Sequence, residues 1–306
     1  MISLSRGLKR LGNGLSGPLM TLSGCYDQLS EKSKKRRQII VNQEKEKQRQ
    51  EDLKRIKSLR LIDDDFMTIC FDNYIEGAEL LLKIILDRED LKVSEVKAQK
   101  VLKNLQGRDL RLDIYATDAA GKKYDIEIQR ADKGAHQKRA RYHSSLIDSD
   151  MLKAGEDFTE LRENYVIFIT ENDVLGLNKP IYNIERFIAG ENVQFEDGEH
   201  IIYVNGSIKA KDTALGRLIS DLYCTEADDM CYRELAERVR VYKETEEGVD
   251  TMCDVLDEMK KEAVEKANVE HALAMLNSGK LSLEEIAEFS GLSIEKVREL
   301  SGNKSA

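Results

Sequence analysis

Carboxylate and amide side chains recur at every second position in a short stretch of this sequence. Asp113 lies in one run of alternating polar and apolar residues, and Asp125, Glu127 and Gln129 lie in a second run, with a turn around Gly121 between them. Because side chains alternate across a strand, this pattern predicts a β-hairpin that gathers these polar groups at one open point. Like charges so close together repel, so a cation usually lies between them.

The opposite face of the predicted hairpin is apolar in both arms. Its residues alternate strictly with the polar ones, and they are Leu110, Leu112, Ile114, Tyr124, Ile126 and Ile128. An apolar face of this kind packs against a protein core. The hairpin is therefore predicted to hold its acidic groups on a fixed support.

Metal-assisted phosphodiester hydrolysis is the chemistry that this set of residues suits. That reaction needs oxygen ligands for Mg²⁺, a positioned water molecule and a group that orients the water. Asp113 and Glu127 are the natural ligand pair, and the Ile128 carbonyl adds a backbone oxygen. Gln129 is placed to orient the attacking water.

The elements around the hairpin predict an α/β fold with a mixed central β-sheet flanked by helices. Strands are predicted over residues 93–102 and over the continuous apolar run 165–170, and a helix over residues 133–152. Asp64 or Asp65 is predicted to cap an earlier helix. The chain is predicted to have three regions. Residues 1–60 form a basic N-terminal arm that is disordered or helical, residues 61–210 form the core with the sheet, and residues 211–306 form a helical C-terminal tail.

Charge is distributed unevenly along the 306 residues. The net charge is −9, but residues 1–60 contain 15 Lys and Arg against 6 Asp and Glu, so the arm carries +9 and the rest carries −18. The body as a whole would repel a polyanion unless a metal intervened, so attraction to nucleic acid must come from the arm or from local patches. For the arm, a solvated polar face is preferred over phosphate contact.

Several protein classes are disfavoured by the sequence. No run of eighteen apolar residues predicts a membrane span, and the N-terminus lacks the apolar core of a signal peptide. Five scattered cysteines and four scattered histidines argue against a zinc site and favour reduced thiols. These features predict a cytoplasmic protein.

Basic residues follow the hairpin in the predicted helix. Arg139 and Arg141 are candidate phosphate contacts, because arginine binds such oxygens with two hydrogen bonds, although pairing with nearby acids on the helix surface is the alternative. His136 and His143 are predicted to be surface positions of the same helix.

The tail contains a second pattern of interest. Ser282 and Glu285 form a capping-box sequence, and Ala287, Gly291 and Val297 then follow with helix-turn-helix spacing. Residues 281–301 contain five glutamates, a poor balance for approaching phosphates. A packing motif or a partner-binding helix pair, including a homo-oligomeric contact, is therefore preferred over a DNA reader.

An ordered series of motifs gives the chain a family resemblance. Asp113 followed by Glu127-Ile128-Gln129 resembles the Asp…(Asp/Glu)-x-Lys signature of the PD-(D/E)XK nuclease superfamily. With the flanking motifs, the series resembles the branch known as PD-(D/E)XK nuclease family transposase, or Rpn recombination-promoting nuclease, over about residues 61–205. The flanking motifs are Ala78–Leu82, Lys103–Arg108, Arg111–Tyr115, Arg130–Gly134, Lys138–Tyr142 and Phe168–Asp173.

The resemblance implies a Mg²⁺-dependent DNA endonuclease, with Mn²⁺ as a substitute ion. Asp113 and Glu127 match the metal ligands of the family, and Glu79 matches an acidic residue that the first helix often contributes. Gln129 stands where the wider superfamily has lysine, so it can orient water but cannot stabilise an anion by charge. Lys123, on the same strand face, or a second metal is a candidate substitute.

The leading hypothesis is therefore a metal-dependent endonuclease associated with recombination or mobile DNA. The rival is a DNA-binding or regulatory protein that keeps the nuclease fold without efficient cleavage. The neutral Gln129 and the acidic body favour the rival slightly. A scaffold acting through its helical tail is a third alternative.

Overall fold

The computed structural model describes residues 22–104, 107–130 and 132–302. The chain divides into two compact units, residues 1–51 and residues 52–306. Helix α1 (Leu22–Ser58) begins in the first unit, where the described side chains of residues 38–40 and 42–51 are exposed. What the sequence predicts for residues 1–21 lies outside the described part of the chain.

Two helices, three strands, one helix and five strands follow one another in the first part of the second unit, and helices follow to its end. After α1, the helices are α2 (Asp64–Phe71), α3 (Ile75–Leu86), α4 (Gln137–Met151), α5 (Ala214–Leu222), α6 (Arg233–Glu244), α7 (Glu246–Ser278), α8 (Leu283–Ser290) and α9 (Ile294–Gly302). The strands are β1 (Val93–Leu102), β2 (Leu110–Asp118), β3 (Lys123–Gln129), β4 (Asn164–Thr170), β5 (Ile181–Ile184), β6 (Phe187–Ile188), β7 (Val193–Gln194) and β8 (Glu199–Asn205).

Six strands form one mixed sheet in the order β1-β2-β3-β4-β8-β5. The first three strands are antiparallel, β3, β4 and β8 are parallel, and β5 returns antiparallel to β8. Helix α4 connects the parallel strands β3 and β4, as a crossover of this kind requires. The predicted fold class, a mixed sheet with flanking helices, is confirmed.

Each face of the sheet is covered by its own hydrophobic core. The central strand β4 shows the division, because Ile167 and Ile169 pack in one core while Val166 and Phe168 pack in the other. The first core holds α2, α3, α5, α6 and the first half of α7, and the second holds α4. Asp125 and Glu127, on the α4 face of β3, are thus shut away from bulk water.

The end of the chain has a small core of its own. Ala272 on α7, Ile286 on α8 and Val297 on α9 are buried together. The predicted capping box is confirmed, since Ser282 Oγ accepts from the backbone of Glu285 while that carboxylate accepts from Ser282 N. Among the described helices, none is long and apolar enough to cross a membrane.

The predicted cap of the second helix is wrong by one residue. Asp64 and Asp65 lie in the first turn of α2, and the N-cap is Asp63, whose backbone is extended. The Asp63 carboxylate makes no capping bond because it pairs with Arg60 and Arg130 instead. Asp64 is exposed and lines a cavity together with Asp113 of the hairpin.

Candidate functional site

The strands β2 and β3 part at the position of the acidic residues. Their backbone pairing ends at Ile114 and Ile126. Beyond that point the backbone N–H groups donate to carboxylates of the neighbouring strand and not to its carbonyl groups. Asp113 N donates to Glu127 Oε1 at 3.0 Å, and Ile128 N donates to Asp113 Oδ2 at 3.1 Å. The two carboxylates are therefore held together by the ends of separating strands.

The strict alternation predicted for β2 is wrong at this same point. Leu110 and Leu112 pack in the core beneath α4, whereas Ile114 packs in the core on the other face. The distortion has a local cause in β1, where Gln99 has a left-handed φ of 52° and its Nε2 lies 3.4 Å from Asp113 Oδ1. The irregular pairing turns Asp113 toward the end of β3.

Helix α4 lies over the polar face of β3, so the acidic groups are not on an open surface. Asp125, Glu127 and His143 have 0 % exposure. Arg139 Nη2 donates to Glu127 Oε2 at 2.6 Å, and Arg139 Nε donates to His143 Nε2 at 3.0 Å. Gln129 Nε2 also donates to Glu127 Oε2, at 3.3 Å. Strand and helix together thus form one buried polar network.

Burial governs the electrostatics of this network. It raises the pKa of Glu127 to about 9, with added repulsion from Asp125 and Asp113, and raises the pKa of Asp125 well above its usual value. It also raises the pKa of Asp113, where Asp64 adds repulsion. Burial lowers the pKa of His143 to about 4, so its ring is neutral at pH 7.

The hydrogen bonds identify the proton-bearing atom of the neutral His143 ring. Its Nε2 accepts from Arg139, so the proton lies on Nδ1, which donates to Asp125 Oδ2 at 2.7 Å. The predicted surface position of His143 is therefore wrong. The surface position of His136 is confirmed, and its ring accepts from Lys138 N at the start of α4.

A cavity of about 1420 Å³ opens directly onto the network. Asp113, Gln129 and Arg139 line it together with Asp64 of α2 and Glu171, which follows β4. Its wall also contains further basic or aromatic side chains, namely Arg108, Arg111, Arg130, Lys138 and Tyr142. Positive charge therefore surrounds an acidic floor, an arrangement suited to a phosphate chain approaching a bound cation.

Comparison with known families agrees with this geometry. The family described as PD-(D/E)XK nuclease family transposase matches residues 78–271, which is more than half of the chain. The chain belongs to this family. Searches of curated proteins and of solved structures return no match. The family match extends through α5, α6 and most of α7, helices that share the sheet's core.

Membership of this nuclease family relates the protein to enzymes of mobile DNA. Of the candidate site residues named from sequence, the structure brings Asp113, Glu127, Gln129 and Arg139 into one network. Their catalytic roles stay predictions.

Three other candidate residues lie outside this network. Glu79 pairs with Lys83 and Lys92, at 2.7 and 3.0 Å. Arg141 is exposed and is not among the described residues that line the cavity. Lys123, at the opposite end of β3 from Gln129, donates to Thr117 Oγ1.

Asp64 and His143 are site residues that the sequence did not indicate, and Asp125 was predicted to share the strand face of Glu127 but was given no role. His143 follows Arg139 by four residues, which places both on one helix face, but sequence does not show which face meets the sheet. Asp64 had no sequence signal linking it to the hairpin.

The nuclease family implies a divalent metal, and the residues present fit one. Asp125, Glu127 and His143 bring possible ligand atoms within 4.8 Å of one another. Both ring nitrogens of His143 are already hydrogen-bonded, so the carboxylates are the ligands that the site offers directly. Asp125 Oδ1 is buried without a hydrogen-bond partner among the described residues. Arg139 brings one positive charge to a group of three carboxylates that includes Asp113, so a divalent cation would balance the charge.

Proposed function

We propose that this protein is a Mg²⁺-dependent DNA endonuclease that acts in the recombination or movement of DNA. The observation that carries the proposal is the pairing of Asp113 and Glu127 at the parted ends of β2 and β3, where Asp113 lines a cavity with basic walls. We further propose a cytoplasmic location, with Mn²⁺ as a substitute ion and self-association through the helical tail.

Asp113 and Glu127 would hold the ion, with the Ile128 carbonyl as a further oxygen donor. A bound Mg²⁺ would supply polarisation of the phosphate and activation of a water molecule. Gln129, fixed by its bond to Glu127, would orient that water toward the phosphorus. The backbone bonds of Asp113 and Ile128 keep the two carboxylates in place before the substrate arrives.

Basic residues would position the DNA strand. Arg139 reaches the cavity from α4, and Arg141 is exposed two residues farther along the same helix. Both are proposed phosphate contacts, as arginine can make two parallel hydrogen bonds to phosphate oxygens. The family resemblance proposes Glu79 as a further participant, but its contacts with Lys83 and Lys92 favour a structural role.

Nicking of a supercoiled plasmid tests the proposal. Wild-type protein should convert the plasmid to open circles with Mg²⁺ and not with EDTA, and Asp113→Asn and Glu127→Gln should lose at least about 100-fold in rate. Asp90→Asn, which removes an exposed carboxylate paired with Arg88, is the matched control and should keep full activity. Equal nicking by wild type and both site variants would refute the assignment.

A DNA-binding protein without efficient cleavage is the second candidate, favoured by the neutral Gln129. Thermal melting separates the two functions. Both predict that Mg²⁺ raises the Tm of wild type but not that of Asp113→Asn, because a ligand stabilises the folded state that binds it. Only the nuclease also nicks the plasmid, so a metal-dependent Tm with no nicking would favour the second candidate.

A further inference from the structure

Arg139 is the most heavily anchored cation of the candidate site. Its Nη2 donates to Glu127 Oε2 at 2.6 Å, and its Nη1 donates to Gln129 Oε1 at 3.2 Å and to Gly134 O at 3.1 Å. Its Nε donates to His143 Nε2 at 3.0 Å. A side chain bound at all three nitrogens has one orientation rather than the many of a surface arginine.

The anchoring continues into the buried sheet. His143 accepts from Arg139 through one ring nitrogen and donates to Asp125 through the other. His143 and Asp125 are both fully buried, so the imidazole cannot turn without losing two hydrogen bonds. Asp125 and His143 are therefore positioning residues: from fully buried positions they hold the guanidinium in one orientation.

The guanidinium lies where the site lacks positive charge. The strand position that ends β3 carries a neutral Gln129, and Arg139 Nη1 meets the Oε1 atom of that side chain. About 36 % of the Arg139 side chain is exposed, and the residue lines the cavity. Helix α4 thus brings a fixed cation to the tip of a strand residue that has no charge of its own.

Hydrolysis of a phosphodiester is favoured by a cation that lies beside the reacting phosphate. The water oxygen forms a bond to phosphorus, one P–O bond to a sugar oxygen breaks, the water releases a proton to solvent and the leaving oxygen takes one up. Negative charge meanwhile spreads over the oxygens around the phosphorus. Fixed cations aimed at that charge are worth more than mobile ones, because they need no reorganisation during the reaction.

We propose that Arg139 of α4 is the catalytic cation of this site and stabilises the transition-state charge that Gln129 cannot. This inference rests on the proposed nuclease function and deepens it. Arg139 then acts as a catalytic residue that touches the substrate phosphate, and not only as an aid to DNA binding. Its role differs from that of Arg141, which lacks the buried anchors.

Single-turnover cleavage by Arg139→Gln tests the proposal. The rate of the chemical step should fall about 100-fold. The Kd for Mn²⁺, measured by calorimetry, should not weaken, because the variant removes a cation bonded to Glu127. The Kd for a duplex, measured with Ca²⁺ in place of Mg²⁺, should change little. Arg233→Gln, an exposed arginine on α6, is the control and should match wild type throughout.

A double variant that places the positive charge at the end of β3, and not on α4, gives the decisive test. Arg139→Gln combined with Gln129→Lys should regain about tenfold in rate over Arg139→Gln alone, since a cation again faces the phosphate. Arg139→Lys should fall between wild type and Arg139→Gln, because lysine keeps the charge and loses the planar fork. A merely structural arginine predicts no gain from lysine at position 129.

Two results would overturn the inference. The first is an unchanged rate of cleavage in Arg139→Gln. The second is a double variant that cleaves no faster than Arg139→Gln, while the slower cleavage of Arg139→Gln is explained by its lower Tm and weaker metal binding. If wild type cleaves and Asp113→Asn does not, either result rejects the role of Arg139 alone. If wild type, Asp113→Asn and Glu127→Gln nick equally, the nuclease assignment itself fails.

Discussion

Two buried carboxylates, Asp125 and Glu127, and the half-buried Asp113 lie near a single guanidinium, that of Arg139, and this imbalance defines the chemistry of the site at the scale of residues. All three carboxylates have raised pKa values, chiefly because burial opposes their ionisation. Repulsion adds to this, from Asp113 on Asp125 and Glu127, and from Asp64 on Asp113. Such groups favour either protons or a cation. The alternation of side chains along β3 was enough to predict that Glu127 and Gln129 share a face.

Sequence could not reveal how these residues are held. Asp113 reaches Glu127 because β2 is irregular opposite Gln99, and a left-handed glutamine has no sequence signature. The burial of His143 depends on which face of α4 meets the sheet. Both are consequences of tertiary packing, whereas the positions of Asp113 and Glu127 follow from local pattern.

Glu79 provides a test at a single residue. Burial opposes its ionisation, but hydrogen bonds from Lys83, Lys92 and the backbone of Val93 outweigh burial and lower its pKa below 4.5. The ionised form therefore stabilises the fold above about pH 4.5, and that stabilisation disappears as the pH falls through the lowered pKa. Glu79→Gln should lower the Tm by a few degrees at pH 7 and match wild type below that pKa.

Plasmid nicking by the same variant decides whether Glu79 is catalytic. Its contacts are all with structural partners, so Glu79→Gln should nick at the wild-type rate with Mg²⁺. Lys83→Gln removes one of those partners and is the matched control for stability. A rate loss like that of Asp113→Asn, with no loss of Tm, would instead assign Glu79 to the active site.

At the scale of elements, the turn before α4 connects the strand and helix halves of the site. Gly134 lies in a short 3-10 turn (Asp132–Ala135) and its carbonyl accepts from Arg139. A Cβ added at Gly134 would collide with Gln129 Oε1. The glycine is therefore required by close approach and not by backbone conformation.

Gly134→Ala should displace Gln129 and lower the nicking rate about 10- to 100-fold, because small displacements of reacting groups are costly. The Tm is measured beside the rate, because the same turn contains the buried Ala135, whose carbonyl accepts from Tyr203. Gly302→Ala, where an added Cβ meets open space, is the control. An unchanged rate in Gly134→Ala would mean that the position of Gln129 does not matter.

Regular elements were the most predictable part of the fold. The strand expected over residues 93–102 matches β1, and the run 165–170 lies in the buried strand β4. Their apolar patterns are strong and local. The six-stranded order needs pairing between distant segments, which no local pattern specifies.

At the scale of the whole molecule, two surfaces compete as the place where DNA binds. The cavity has basic walls, whereas the helical end of the chain has Lys296 and Arg298 among five glutamates. Lys296 pairs with Glu299, and Arg298 lies 3.9 Å from Glu284. Paired basic residues have less to offer a phosphate, so the cavity should dominate binding.

Salt-dependent duplex binding distinguishes these surfaces. Arg111→Gln with Lys138→Gln, both in the cavity wall, should weaken affinity and reduce the slope of log K against log salt by about 2. Lys296→Gln with Arg298→Gln should leave both quantities near wild type. The reverse outcome would identify the helix-turn-helix-like end as the DNA reader.

Location of the bound ion is the most direct test of the central claim, that the parted ends of β2 and β3 hold a divalent cation. Crystals soaked in Mn²⁺ should show an anomalous peak about 2.1 Å from carboxylate oxygens of both Asp113 and Glu127. Arg139 should then have released Glu127 Oε2. A fully soaked crystal with no peak between these two carboxylates, and Arg139 still bonded to Glu127, would contradict the account.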